Sequence, residues 1–214
     1  APAGRTISVS GTGKVTLTPD IAYVSIGVHT EAKDAKTALS TNNTNVQKVV
    51  NAIKGAGVDA KDIQTTNFNI YPSNQYGPNG QVTETKYAVD NTVYVTVRKL
   101  DGLGSLLDTV VTAGANTVNG IQFDVADKSA ATSEARKQAI QDARKQAEEL
   151  AAAAGVKVGE IQSISIFTNA QPLPYYQNYG KGMGGGAAAP EVAVPISSGQ
   201  MILTADVSIV YAIQ

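Results

Sequence analysis

The chain has no cysteine, no tryptophan, a single histidine and only 3 phenylalanines among its 214 residues. Each absence removes a class of chemistry. Without cysteine there is no thiol nucleophile, no disulfide framework and no zinc finger. One histidine excludes any site that needs two. Charge of either sign is sparse as well: Lys and Arg number 17, Asp and Glu 18, and together they make up 16% of the chain, for a net charge of −1. No block of five or six like charges exists, which argues against nucleic acid as a partner. Long apolar runs are missing too. The charge-free stretch from Ile161 to Gly180 is broken by Gln, Asn, Ser and two prolines, so no transmembrane helix is expected.

Alanine and glycine stand in for what is missing. There are 30 alanines and 20 glycines, and 43% of residues are hydrophobic, enough to bury a core. A surface so poor in charge relies on Ser, Thr, Asn and Gln, or is partly hidden against other subunits. The chain begins Ala-Pro-Ala-Gly without an initiator Met. Removal of a secretory signal leaves such an end, and so does trimming. The expected location is periplasmic or extracellular.

Hydrophobic spacing gives a definite order of elements. Ile7, Val9, Val15 and Leu17 alternate with polar residues around Gly11-Thr-Gly13, as a short hairpin or a bent strand. A strand follows from Pro19-Asp20, with Ala22, Val24, Ile26 and Val28 on one face. Asp34 is placed to cap a helix whose face is Leu39, Val46, Val49, Val50 and Ile53, and which ends at Gly55 and Gly57. Extended runs over Ile63 to Tyr71 and Tyr87 to Val97 complete a strand–helix–strand–strand unit. A linking helix runs from Asp101 to Ala113, with Leu103, Leu106, Leu107, Val110 and Val111 on its apolar face.

The unit then recurs. Ile121, Phe123 and Val125 mark a strand, Ser129 to Ala154 a long helix, Ile161 to Phe167 a strand, and Met201 to Tyr211 the return strand. The join after each helix is nearly literal: Gly57-Val58 and Ile63-Gln64 match Gly155-Val156 and Ile161-Gln162 at an offset of 98. The expectation is an α+β fold of two βαββ repeats, about 20–99 and 117–213, on mostly antiparallel sheets with a linking helix. One domain over 1–214 with a shared core is expected. Each repeat carries an insertion at its hairpin tip, 71–82 and 168–198. The second holds Pro172, Pro174, Tyr175, Tyr176, Tyr179 and a glycine cluster. It reads either as a flexible tip or as an arm that packs on a neighbour.

Several stretches together resemble the SIMPL domain family, also called domain of unknown function 541. They are Ile7 to Val15, Pro19 to Ala22, Tyr87-Ala88 with Val93 to Val97, Gly114-Ala115 with Val118 to Ile121 and Phe123, and the helix Ala135 to Gly155. They cover nearly the whole chain in order. The family includes bacterial periplasmic proteins, among them outer-membrane-associated immunogenic ones. The resemblance implies an envelope location, no known enzymatic activity, roles in stress tolerance and homo-oligomers built as rings or hollow assemblies. It supplies no catalytic residues. The Tyr- and Gly-rich segment Pro172 to Pro190 departs from the shared pattern.

Candidate chemistry is thin. His29 could serve as a base or metal ligand, but no second His or Cys completes a site. Gly11-Thr-Gly13-Lys14 lacks the spacing of a phosphate loop, and Gly182 to Gly186 is not followed by a helix start. Asp59/Asp62 and Asp124/Asp127 fall at element ends. Glu148 and Glu149 lie four residues after Arg144 and Lys145, the spacing of helical ion pairs. Ala131, Ala135, Ala139, Ala143, Ala147 and Ala151 form a stripe that drifts by about 40° per step on a 3.6-residue helix. It suits close packing on the chain's own sheet, or approach of a neighbouring subunit.

No catalytic, cofactor-binding or metal-binding residue is assigned, and no enzyme is expected. The primary expectation is a non-enzymatic envelope protein that assembles with copies of itself, through the tips and the edges of long strands such as Met201 to Tyr211. Tyr71, Tyr76, Tyr175, Tyr176 and Tyr179 are the candidate interface residues, tyrosine being large, amphipathic and low in side-chain entropy. Association with the outer membrane without a transmembrane helix is compatible with this. The alternative is a monomeric or dimeric binding module that captures a peptide, a glycan or a small ligand through the Tyr-rich loop.

Overall fold

The computed structural model describes residues 4–175 and 196–214, and for 168–175 the backbone only. These residues form seven strands and three α-helices. In chain order they are β1 (Thr6–Leu17), β2 (Ile21–Ala32), α1 (Ala35–Gly55), β3 (Ile63–Tyr76), β4 (Val82–Val97), α2 (Leu103–Thr112), β5 (Thr117–Asp124), α3 (Ser129–Ala154), β6 (Val158–Tyr175) and β7 (Gln200–Ile213). The fold is α+β with two open antiparallel sheets, and the doubled βαββ order is present as β2-α1-β3-β4 and β5-α3-β6-β7. Among the described residues no helix is long and apolar enough to cross a membrane.

The strands do not pair as the repeat predicts. One sheet has the order β3-β4-β2-β5 and the other β1-β7-β6. β5, the first strand of the second repeat, pairs with β2, from Ile21↔Asp124 to Gly27↔Thr117. β1 takes the vacant place beside β7, in register from Thr6↔Ala212 to Leu17↔Met201. Alternation tells a strand which face to bury but not which partner to take, and here the two candidate strands are exchanged. The described residues gather into two compact units, each with its own buried cluster.

The first unit comprises residues 20–124 together with Ile196 and Ser197. Val24, Ile26 and Val28 of β2 and Val93, Val95 and Val97 of β4 face Val49 and Ile53 of α1 and Leu103, Leu106 and Val110 of α2. The linking helix is thus part of a core. Asp34 caps α1 as expected, its side chain accepting from the Thr37 N–H at 2.9 Å. The one fully buried polar side chain among the described residues is Asn42 of α1, which donates its amide to the Val28 carbonyl at 2.8 Å and the Val89 carbonyl at 3.1 Å. At the open end of the sheet, Asp62 holds Arg98 by two bonds of 2.8 Å. Those bonds keep the Asp62 carboxyl below its ordinary pKa.

The second unit comprises residues 4–19, 125–175 and 198–214. Met201, Leu203, Ala205, Val207, Ile209 and Tyr211 are all buried, as their alternation predicts. Above them the alanine stripe is spent on the chain's own sheet: Ala135, Ala139, Ala143, Ala147 and Ala151 are buried, and only Ala131 at its start is half-exposed. Glycine completes the fit from below. A Cβ on Gly11 would run into the Ala139 carbonyl, and one on Gly13 into the Ala135 carbonyl. These glycines therefore serve close approach of a helix to a strand, not a hairpin, and β1 runs unbroken for 12 residues. Asp142 and Gln138 of α3 accept from the Thr12 and Lys14 N–H groups at 3.0 and 3.3 Å, so part of the β1 edge is already occupied. On the outer side of α3, Arg144–Glu148 at 2.9 Å and Lys145–Glu149 at 3.8 Å form the expected ion pairs.

The described parts of both insertions are more regular than the sequence suggests. Tyr71 to Tyr76, the first part of the 71–82 insertion, continues β3 in pairing with Ala88 to Val82 despite the turn-forming Pro, Ser and Asn it contains. The turn itself is only Gly77 to Gln81, closed by the Gly77 N–H on the Gln81 carbonyl at 2.9 Å. Likewise β6 continues through Tyr175, which pairs with Gln200.

Candidate functional site

The period of two along β2 decides where polar chemistry collects. With Val24, Ile26 and Val28 turned toward the helices, Tyr23, Ser25, Gly27, His29 and Glu31 occupy the other face of the sheet. Register then supplies partners. β4 sets Asp90 opposite His29, and β3 sets Asn69 opposite Asp90. His29 Nδ1 lies 2.6 Å from Asp90 Oδ1, and the Tyr71 hydroxyl donates to Asp90 Oδ2 at 3.0 Å. The same carboxylate thus binds an imidazole and a phenol. The hydrogen bond to it, and then its charge, raise the pKa of Tyr71 above the ordinary tyrosine value, because the phenol must stay protonated to donate.

The backbone of His29 is fixed independently. Asn116 accepts from its N–H and donates to its carbonyl, both at 2.7 Å, so that a side-chain amide extends the β2–β5 ladder by one residue. The far nitrogen, Nε2, faces Glu31 Oε1 at 3.7 Å, and Ser73 donates to that same oxygen at 3.3 Å. The His–Asp pair therefore resembles the orienting half of an acid–base site. Its outward nitrogen meets a carboxylate where a hydrolase would place a hydroxyl nucleophile. Among the described residues no group of three or more His, Asp or Glu is arranged to hold a metal ion.

Beside this cluster the sheet surface is hollow. Gly27 forms a floor between Thr92 and Thr117, since a Cβ there would stand 3.1 Å from Thr92 Oγ1 and 3.2 Å from Thr117 Cβ. The hollow has a volume of about 260 Å³ and reaches Asn67, Asp90 and Asn119. A second one, of about 170 Å³, adjoins it at Asn119 and is bounded by Tyr23 and Tyr94. Those two rings stack with centroids 5.5 Å apart and planes 16° apart.

Of the candidate interface tyrosines, Tyr71 is tied to Asp90 while still partly exposed, and Tyr76 at the end of β3 is 65% exposed. The side chain of Tyr175, and all of Tyr176 and Tyr179, lie outside the described residues. Sequence reasoning singled out His29, with Glu31 two residues on, but missed Asp90, Ser73 and Asn116. The alternation of β4 puts Asp90 on the same face as Thr92 and Tyr94; only the register brings it to His29.

The strand edges give a second surface. β7, expected to offer an open edge, is covered on both sides by β1 and β6. The open edges belong instead to β3 and β5 in one sheet and to β1 and β6 in the other. α1 packs on β2 and β4 and barely reaches β3; α3 packs on β1 and β7 and barely reaches β6. On the helix side this leaves Phe68 and Ile70 of β3, and Ile161, Ile164 and Ile166 of β6, between 42% and 52% exposed.

Comparison with known proteins agrees with this architecture running through the whole chain. Residues 7–211 match SIMPL, described as protein of unknown function (DUF541). The 26 kDa periplasmic immunogenic protein of Brucella melitensis is 35% identical over 213 residues, covering 97% of this chain and 84% of that protein. The uncharacterized protein YggE of Escherichia coli K12 is 37% identical over 174 residues, covering 81% of this chain and 70% of that protein. YggE of Edwardsiella ictaluri is 35% identical over 190 residues, covering 88% and 77%. With a match of this extent and relatives of this identity, the chain belongs to the SIMPL family.

Proposed function

We propose that the chain is a non-enzymatic protein of the bacterial cell envelope that assembles with copies of itself into a large homo-oligomer, a ring or hollow assembly, with a structural or stress-related role. The name of the Brucella relatives supports a periplasmic setting. The His29 cluster supports a non-enzymatic reading, because its outward nitrogen is directed at a carboxylate.

The observation that carries self-assembly is the equivalence of β3 and β6. Each is the third element of its repeat, each is an edge strand, and each is left uncovered on its helix side with apolar residues exposed. Unpaired N–H and C=O groups beside an apolar strip form a template for another strand. Pairing β3 of one copy with β6 of the next joins two different surfaces. Such heterologous contacts generate closed rings when the rotation between copies closes. Size-exclusion chromatography with light scattering tests this. A mass many times 22.1 kDa is expected at micromolar concentration, and a monomer mass overturns the reading. Ile164→Lys with Ile166→Lys should dissociate the assembly and leave the circular dichroism of the fold unchanged.

A further inference from the structure

The hollow face of the β3-β4-β2-β5 sheet lies on the opposite side from the apolar strip of β3, and self-assembly makes no use of it. Its chemistry narrows the class of ligand. Among the residues that line its two parts, Asp90 is the one charged side chain, and no Lys or Arg is present, which disfavours phosphates and other anions. The central lining strands β2 and β4 spend their backbone groups on neighbours, so a peptide lying in the hollow cannot add to them as a strand, and the open edges of β3 and β5 lie at the margins of the face. The polar lining of the main hollow, Asn67, Asp90, Asn91, Thr92, Thr117 and Asn119, does not suit an acyl chain. What the face does offer is amides and hydroxyls beside an aromatic pair. Asn119 makes no side-chain hydrogen bond with the described residues. Asn67 receives one bond at its oxygen, from Asn69 at 2.9 Å, and keeps its own amide hydrogens unspent. Thr92 and Thr117 flank the bare floor at Gly27.

We propose that this face binds a neutral pyranose oligosaccharide. A sugar ring has hydroxyls around its rim that pair with planar amides, and C–H faces that pack on an aromatic ring. The rim of one residue fits the Asn67–Thr92–Asn119 hollow, and the next residue lies against Tyr94 of the stacked pair. Asp90 is held in place by His29 Nδ1 at 2.6 Å and by the Tyr71 hydroxyl, which donates to it at 3.0 Å, and it closes the far end of the hollow. The absent side chain at Gly27 keeps the floor between Thr92 and Thr117 clear, so that a sugar hydroxyl can approach there. The two hollows, joined at Asn119, together reach the lower part of the ~300–1,000 Å³ range of small-molecule sites.

The test uses the intact chain with cellotetraose and, separately, tetra-N-acetylchitotetraose as probes, followed by calorimetry and by amide chemical shifts. Saturable binding of at least one sugar is expected, with shifts centred on Gly27, Thr92, Thr117 and Asn119. Asn119→Ala, at an exposed position, and Tyr94→Ala should each weaken binding by about tenfold or more, and Tyr94→Phe should restore it. The proposal is overturned if neither sugar saturates below ~20 mM, or if binding survives both alanine variants unchanged. It is equally overturned if inorganic phosphate displaces the sugar from these residues. None of these readouts depends on the oligomer mass, so failure here is separate from failure of the self-assembly reading.

Discussion

Gly11 of β1 lies directly beneath the Ala139 carbonyl of α3, with no space between them for a methyl group. The obstacle is backbone, so rotation of a side chain cannot relieve it. Gly11→Ala and Gly13→Ala should each cost about 1–3 kcal/mol or more, the range for overpacking a tight core. Denaturant unfolding measured by circular dichroism checks this. Gly4→Ala, at a position with nothing within 4 Å, is the control and should be neutral.

Asn42 tests a buried polar post. Its amide hydrogens serve the carbonyls of Val28 and Val89 and the Thr30 hydroxyl. Asn42→Leu removes the donor while roughly keeping volume, and a loss of about 1–3 kcal/mol is expected. Asn42→Asp sharpens the test. A buried carboxylate beside two carbonyl oxygens has a raised folded-state pKa, so this variant should be most stable in acid and lose stability as pH rises through the carboxylate range. Equal destabilisation of Asn42→Asp at acid and neutral pH would contradict the assignment.

Acid should weaken the native chain through three carboxylates. Hydrogen bonds lower the pKa of Asp34 (from the backbone of Thr37), Asp62 (from Arg98) and Asp127 (from Ser129). A carboxyl group with a depressed folded-state pKa contributes stability that is present above its unfolded value of about 3.9 and is lost as pH falls through the folded value. Melting temperature should therefore decline below that point. The decline should be shallower in Asp62→Asn, which starts less stable at neutral pH because Arg98 loses its partner.

At the other end of the scale, Asp90 controls Tyr71. Removing the charge with Asp90→Asn should bring the Tyr71 titration down toward the ordinary tyrosine range. Ultraviolet difference titration of the variant against Asp90→Asn with Tyr71→Phe isolates that single phenol among the 9 tyrosines. A Tyr71 midpoint unmoved by Asp90→Asn would remove the carboxylate as the cause.

Much of this was legible in the residues because it is local. The stripe from Ala135 to Ala151, the Asp34 cap and the alternation of Met201 to Tyr211 each follow from a period or a spacing, and α3 begins and ends where the pattern says. What failed was pairing across distance. Nothing in the spacing of Ile7 and Val9 says that β1 lies beside residues 201–212, nor does Ile121 reveal that β5 belongs beside β2. The same limit hid the candidate site. His29 and Asp90 are 61 residues apart, and only register unites them. Tyr71 to Tyr76 misled for another reason: its turn-forming composition is overridden by a partner strand, which itself begins at Val82.

The pairing of β1 with β7 has a consequence for the order of folding. Residues 20–124 contain nearly all of the first unit and can collapse as soon as they are made. β1, although it precedes them, must wait for Gly11 to meet Val207 and Thr6 to meet Ala212, nearly the full length of the chain away. Closing so long a loop is the slow kind of contact formation. β1, made before the other six strands described, is therefore among the last to find its place, and pulse-labelled amides of β1 and β7 should gain protection together and late.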